Sequence, residues 1–204
     1  MTAWQNQPII RVRKRQIFFI NISAGVGGKC SMEGKRLTSY AMEELECPKC
    51  GHKHSLKKYK VINVTEKAKL KEEIMKNRLY QFSCEECEYM APLTYDSLYV
   101  DSQRNIMIYM APVMNAEIKA EIAELEQEKG IDKRLVDNIN DLKEKIMIVD
   151  NHLDDRVIEI IKIMYIDQMK KEMEDDTLLN ILFDYNRDNY CFLVFFQKKG
   201  IGKI

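Results

Sequence analysis

No apolar run in this chain approaches the ~20 consecutive residues that a helical membrane span needs, which leaves no candidate span. Net charge is missing as well. Thirty-two Lys and Arg balance 32 Asp and Glu, so there is no uniformly basic coat for nucleic acid. Neither G-x-S-x-G nor H-E-x-x-H occurs, which removes nucleophile-elbow hydrolases and two-histidine zinc peptidases. A phosphate-binding loop is also lacking. Ser23-Ala24-Gly25-Val26-Gly27-Gly28-Lys29-Cys30 comes nearest, but Ser23 replaces the first glycine and Cys30 replaces the metal-binding hydroxyl. No parallel βα succession follows it, so nucleotide binding is not expected. Ile17-Phe18-Phe19-Ile20 follows Arg11, Arg13, Lys14 and Arg15, yet falls short of the ~7–15 apolar residues of an export segment. The chain is therefore read as cytoplasmic, its cysteines as thiols rather than disulfides, and the sequon Asn63-Val64-Thr65 as irrelevant.

What the chain does have is four cysteines in two pairs, Cys47-Pro48-Lys49-Cys50 and Cys84-Glu85-Glu86-Cys87. A C-x-x-C loop puts two sulfurs on one side of a tight turn. Two such loops together supply four thiolates in a tetrahedron, the shape of a structural zinc site. Pro48 fixes one dihedral of the first turn, and Gly51 can take the positive φ that follows. The expected metal ligands are Cys47, Cys50, Cys84 and Cys87, with Zn2+ as a structural cofactor. His52, with His54 close by, is the alternative nitrogen ligand. A catalytic zinc is disfavoured because four sulfurs leave no position for water. A redox disulfide switch is the other use of such pairs, although thioredoxin-like chemistry wants a single motif at a helix start. Leu56 lies nine residues after Cys47, and Leu93 nine after Cys84. That echo suits two similar knuckle-plus-strand units facing across a metal.

At 204 residues, 46% apolar and 31% charged, the chain reads as one moderate soluble domain or two small ones. Charge is polarised along it. Residues 1–41 carry seven basic residues against one Glu, residues 42–114 balance, and residues 115–204 carry an acidic excess of six. Residues 1–41 lack sustained periodicity and read as a basic extension, disordered or upstream of the true start. Strands are expected over 56–64, 79–83, 94–100, 106–111 and 134–136, with two closing strands over 179–184 and 190–196. Helices are expected from a Thr65 cap to about 78, from an Asn115 cap to 129 with Gly130 as its stop, and over 142–149. A wide apolar surface over 157–166, behind Asp154 and Asp155, predicts a buried helix. The fold expected is α+β: a zinc-ribbon-like β unit with an inserted helix over 42–114, then a mainly helical segment with a few strands over 115–204, packed against it.

Residues 43–170 resemble the CpXC family, named for paired Cys-Pro-x-Cys motifs. The resemblance rests on Cys47-Pro48-Lys49-Cys50-Gly51, Ile62-Asn63-Val64-Thr65, Cys84-Glu85-Glu86-Cys87 and Ile106-Met107-Ile108-Tyr109, with Leu153-Asp154-Asp155-Arg156-Val157-Ile158-Glu159 further on. It implies a bacterial or archaeal protein that binds metal, of uncharacterised function. The chain departs from the pattern in its second motif, where Glu85 replaces proline and Glu88 stands where the first motif has Gly51. A non-glycine there is strained if the turn demands a positive φ.

The function expected is a non-enzymatic interaction module, with a protein partner ahead of nucleic acid. A thiol- or zinc-based redox or metal sensor is the alternative. Lys53, Lys57, Lys58 and Lys60, with Tyr59 among them, are the candidate nucleic-acid contacts, because basic residues interleaved with an aromatic can hold a backbone and stack a base. Glu66, Glu72 and Glu73 could equally balance them on a solvated face. His152 near Asp154, Asp155 and Glu159 could suggest acid–base chemistry, but helix capping explains the aspartates better. Cys30 and Cys191 have no evident partner, and Cys191 reads as a buried apolar residue.

Overall fold

The computed structural model describes residues 36–172, 177–186 and 189–197. The phosphate-loop-like stretch, Cys30 and the basic extension up to residue 35 lie outside them. The fold is α+β. Strand β1 (Ser39–Glu46) turns back into β2 (Lys53–Asn63) as an antiparallel hairpin. Among the described residues the first strand therefore begins three residues ahead of the expected boundary at Met42. Arg36 pairs with Glu128, and the Thr38 amide donates to Glu66 at 2.8 Å.

Helix α1 (Lys69–Met75) follows, then a 3-10 turn (Arg78–Tyr80) and the short hairpin β3 (Gln81–Ser83) and β4 (Met90–Pro92). The helix is shorter than Thr65 capping predicts. Asn63 Oδ1 accepts the amides of Thr65 and Glu66 in a local turn, and the Thr65 hydroxyl accepts the Ser102 amide instead of capping. Such side-chain turns compete with helix formation. Asn77, at φ 63°, then closes the helix end.

The expected hairpin forms from β5 (Ser97–Asp101) and β6 (Ile106–Met110). Asn115 Oδ1 caps α2 (Ala116–Glu126) through the Ile118 amide, and Gly130 takes φ +79° beyond it. Strand β7 (Asp132–Val136) pairs in parallel with β6. The result is one five-stranded mixed sheet in the order β1-β2-β5-β6-β7. The expected division at 114/115 thus runs through a single sheet.

Every residue of β5 and β6 is buried, because both faces of the sheet are covered. Strand alternation sends Ile62, Tyr99, Ile108 and Met110 to one side, against Leu70 and Ile74 of α1 and Leu142 and Ile146 of α3 (Ile139–Asp150). Leu98, Val100, Met107 and Tyr109 point the other way, against Ile118 and Leu125 of α2.

Helix α4 (Asp155–Glu172) and the antiparallel hairpin β8 (Thr177–Asn186) and β9 (Asn189–Gln197) complete the described chain. Among the described residues no helix is long and apolar enough to cross a membrane. The expectation of a buried α4 is overturned. Val157, Ile160, Ile163 and Met164 are exposed, while Asp155, Ile158 and Lys162 face inward. Only one side of α4 meets α3 and the hairpin, and that side is anchored by ions. Lys162 Nζ lies 2.8 and 2.9 Å from the two Glu144 oxygens, and Glu144 Oε1 also accepts the Phe183 amide at 2.6 Å. Lys145 bonds Glu159 at 2.7 Å, and Arg134 grips both oxygens of Asp155 at 2.5 Å.

Burial alone would raise the Asp155 pKa, but Arg134 and Lys145 outweigh it and hold the carboxyl below its ordinary value. A depressed carboxylate contributes stability that is present above the unfolded pKa of ~3.9 and is lost as pH falls through the folded one. Asp155→Asn is expected to lower unfolding free energy at pH 7 by about 3–5 kcal/mol, read by urea denaturation. The gap to wild type should narrow once pH drops below ~3.9. A gap unchanged at acid pH would contradict this account of the pair.

Candidate metal centre

Each cysteine pair occupies the tip of a hairpin, the first between β1 and β2 and the second between β3 and β4. The two tips are built alike. The Gly51 amide donates to the Cys47 carbonyl at 2.8 Å, and the Cys47 amide to the His52 carbonyl at 2.8 Å. The Glu88 amide donates to the Cys84 carbonyl at 3.0 Å, and the Cys84 amide to the Tyr89 carbonyl at 2.8 Å. These bonds close each tip into a tight turn. Gly51 adopts φ +74° and Glu88 φ +57°. The departure at Glu88 thus falls on the position where the turn demands a left-handed residue. A side chain there costs roughly 1–2 kcal/mol.

Four sulfurs converge from the two tips, all within 4.8 Å of one another. Cys47 Sγ lies 3.6 Å from Cys87 Sγ, and Cys50 Sγ 3.6 Å from Cys84 Sγ. These separations are too long for a disulfide, whose S–S bond is ~2.05 Å. They fit the edge of a tetrahedron, since a metal–sulfur bond of ~2.3 Å implies edges of about 3.8 Å. The cluster is compatible with metal binding through Cys47, Cys50, Cys84 and Cys87, the four residues named from spacing. Cys47 and Cys84 are buried, Cys87 is half-buried and Cys50 is exposed.

A small apolar core holds the tips together. Phe82 packs with Cys47 and Cys84, ringed by Leu56, Tyr89 and Leu93. Leu56 and Leu93 are the two positions of the nine-residue echo, and both pack against this one core. Lys49 Nζ reaches the Cys87 carbonyl at 3.4 Å and ties one tip to the other.

Spacing pointed to His52 as the alternative ligand, but neither histidine belongs to the four-residue cluster. His52 is exposed and lies against His54, ring centroids 4.9 Å apart. His54 Nε2 sits 3.2 Å from Cys84 Sγ, with its ring edge-on to Phe82. With its proton on Nε2, His54 donates to that sulfur and orients it. Strand alternation carries the signal for this role. Positions 54 and 56 share a face, and Leu45 lies directly opposite His54.

The Cys47, Cys50 and Cys87 thiols differ from one another. Burial raises Cys47, but the amides of Cys50 and Lys49 outweigh it and bring the pKa down to about 7. The His52 amide favours the Cys50 thiolate, yet desolvation and the neighbouring sulfurs push this thiol up to about 12. Burial likewise raises Cys87. A bound dication supplies the charge that lets all four ionise together.

The expected basic contacts do not form one surface. Lys53, Lys57 and Tyr59 share a face of β2 with Tyr40 and Met42, while Lys58 lies on the other face and pairs with Glu43. Lys57 Nζ sits 4.9 Å over the Tyr40 ring. Tyr59 is half-buried against the main core and its ring lies 5.7 Å from that of Tyr40. Lys60, at the irregularity opposite Ser39 and Tyr40, reaches Asp96 at 3.8 Å. His152 is a left-handed residue (φ 56°) in contact with Arg104, while Asp154 holds Arg156 and Asp155 holds Arg134. These aspartates serve the start of α4. Cys191 is half-buried, its thiol 3.6 Å from the Asp184 carbonyl.

The family model described as CpXC protein matches residues 45–162, more than half of the chain. No curated protein and no solved structure matches.

Two substitutions test the centre. Cys84→Ser is expected to drop bound metal well below one ion per chain by elemental analysis and to lower the melting temperature. Full metal content in that variant would contradict the four-sulfur site. Glu88→Gly relieves the left-handed strain and is expected to strengthen metal retention against a chelator by roughly 0.5–1 kcal/mol, allowing for glycine's entropy. Weaker retention would contradict the equivalence of the two tips.

Proposed function

The chain belongs to the CpXC family, and we propose that it is a non-enzymatic interaction module built on a structural Zn(Cys)4 site, with a protein as its partner. The observation that carries this reading is the convergence of four sulfurs from two hairpin tips. Four thiolates fill a tetrahedron and leave no position at which water or substrate could be activated. An all-sulfur tetrahedron suits zinc or iron. Zinc is the assignment for a purely structural role because it has no redox chemistry. Free thiols at this spacing also favour a reducing, cytoplasmic setting.

A protein partner is favoured over nucleic acid by the state of the basic residues. Lys58 and Lys60 are engaged with carboxylates, Lys57 with an aromatic ring, and Tyr59 is packed against the core. Stacking a base needs an aromatic face open to solvent, and Tyr59 offers little of one.

One observation favours the sensor as a second reading. Cys50 is exposed and Cys87 half-buried, so an oxidant can reach two of the four sulfurs, and accessible thiolates are the ones that oxidise.

The readings separate by experiment. Full-length protein is expected to hold one zinc per chain, to keep it under mild peroxide, and to show no salt-sensitive binding to single-stranded or duplex oligonucleotides by fluorescence anisotropy. Zinc released by peroxide and restored by reductant would put the sensor first. Binding that weakens steeply with salt, and that Lys53→Glu/Lys57→Glu abolishes, would put nucleic acid first. Iron in place of zinc would overturn the structural assignment.

A further inference from the structure

Helix α4 buries ions beside Ile158 and leaves large apolar side chains on its outward side. Its inward side carries Asp155 and Lys162, and its outward side carries Ile160 at 56% and Met164 at 66% exposure. The neighbouring hairpin continues the pattern, with Tyr190, Leu193, Phe195 and Phe196 of β9 all exposed. The two elements meet where the Tyr165 and Phe192 rings lie 5.5 Å apart. Between them opens a cleft of about 490 Å³, lined among others by Met169, Tyr190 and Val194. Eleven large apolar side chains of α4, β8 and β9 are exposed. Alternation along β9 puts Tyr190 on the same face as Phe192 and puts Leu193 and Phe195 on the other, so the edge of the strand is flanked by exposed apolar side chains on both faces.

The two edges of the hairpin differ. The Phe183 amide on β8 is taken by Glu144 of α3. Among the described residues β9 pairs with β8 alone, so its other edge has no strand beside it. Asn189-Tyr190-Cys191-Phe192-Leu193-Val194-Phe195-Phe196-Gln197 contains no Asp, Glu, Lys, Arg or Pro. Proteins blunt an exposed edge with charges, proline or a bulge, and β9 carries none of these on its nine residues. The hairpin's irregularity falls on β8, between Leu178 and Asn180.

We propose that two copies of this chain pair through β9, edge to edge and antiparallel about a two-fold axis, so that the two hairpins form one four-stranded sheet flanked by the apolar sides of α4. The strand is suited to a copy of itself. It has no charge to repel its own image across an antiparallel ladder, and no charge to select a partner of opposite sign. A two-fold axis also closes the assembly at two copies. The surface is separate from the metal centre, so zinc content reports independently on the proposal above.

Light scattering on the eluted full-length protein tests the pairing. A chain of 24.1 kDa is expected to elute as a dimer of twice that mass. Leu193→Lys/Phe195→Lys places like charges opposite one another at the axis and is expected to halve the mass, with the helical circular dichroism and the metal content of wild type. A variant that fails to fold is bypassed by hydrogen exchange on the wild type. The β9 amides should exchange more slowly as protein concentration rises, while those of β1 do not respond. A wild-type monomer, an open-ended polymer, a double variant that remains dimeric, or β9 exchange independent of concentration would each overturn the proposal.

Discussion

Four sulfurs from hairpin tips 33 residues apart in sequence must meet within 4.8 Å, and the N-terminal half of the fold is arranged around that requirement. β3 and β4 are three residues each, too short to stand as an independent ribbon. Their support is Phe82 and the few apolar side chains around Cys47 and Cys84. Thiolates joined through a metal would supply what this small core lacks, because metal binding energy becomes folding energy where the unfolded chain has no site. The same closure pins the segment that crosses from β2 to β5. The 3-10 turn ahead of β3 is fixed to the main core by Tyr80, which stacks on Tyr95 at 4.9 Å and bonds the Ser97 hydroxyl at 2.6 Å.

The other half of the molecule is organised by charge. Glu144 and Lys162 are both nearly inaccessible and satisfy one another, and Glu144 also holds the backbone of β8. A buried pair of this kind adds little net stability over an apolar pair but is costly to break. Its consequence here is orientation. Asp155 and Lys162 are turned inward beside Ile158, and Val157, Ile160, Ile163 and Met164 are left outward, so the buried ion pairs and the exposed apolar residues are two aspects of one arrangement.

The cysteine tips were legible because C-x-x-C spacing is local chemistry. Gly51 and Glu88 occupy equivalent left-handed positions, as register between the motifs implied, and Leu56 and Leu93 share a core, as their equal offsets implied. Most elements followed from caps and alternation, with Asn115 and Gly130 bounding α2 as expected. Three features needed tertiary information. Thr65 looked like a cap, but Ser102, distant in sequence, takes its hydroxyl. The apolar residues of α4 looked like a core face, because composition reports apolarity and not which side a buried lysine draws inward. The five-stranded sheet was not legible as one sheet, since its parallel pairs β2–β5 and β6–β7 join segments on opposite sides of an expected boundary.

The central claim is that Cys47, Cys50, Cys84 and Cys87 together ligate one zinc ion. X-ray absorption at the zinc edge of the purified full-length protein tests it most directly. The account predicts four sulfur scatterers at ~2.3 Å and no nitrogen or oxygen ligand. Three sulfurs with a nitrogen at ~2.0–2.1 Å would move a histidine into the site, and a shell of light atoms alone would contradict the claim.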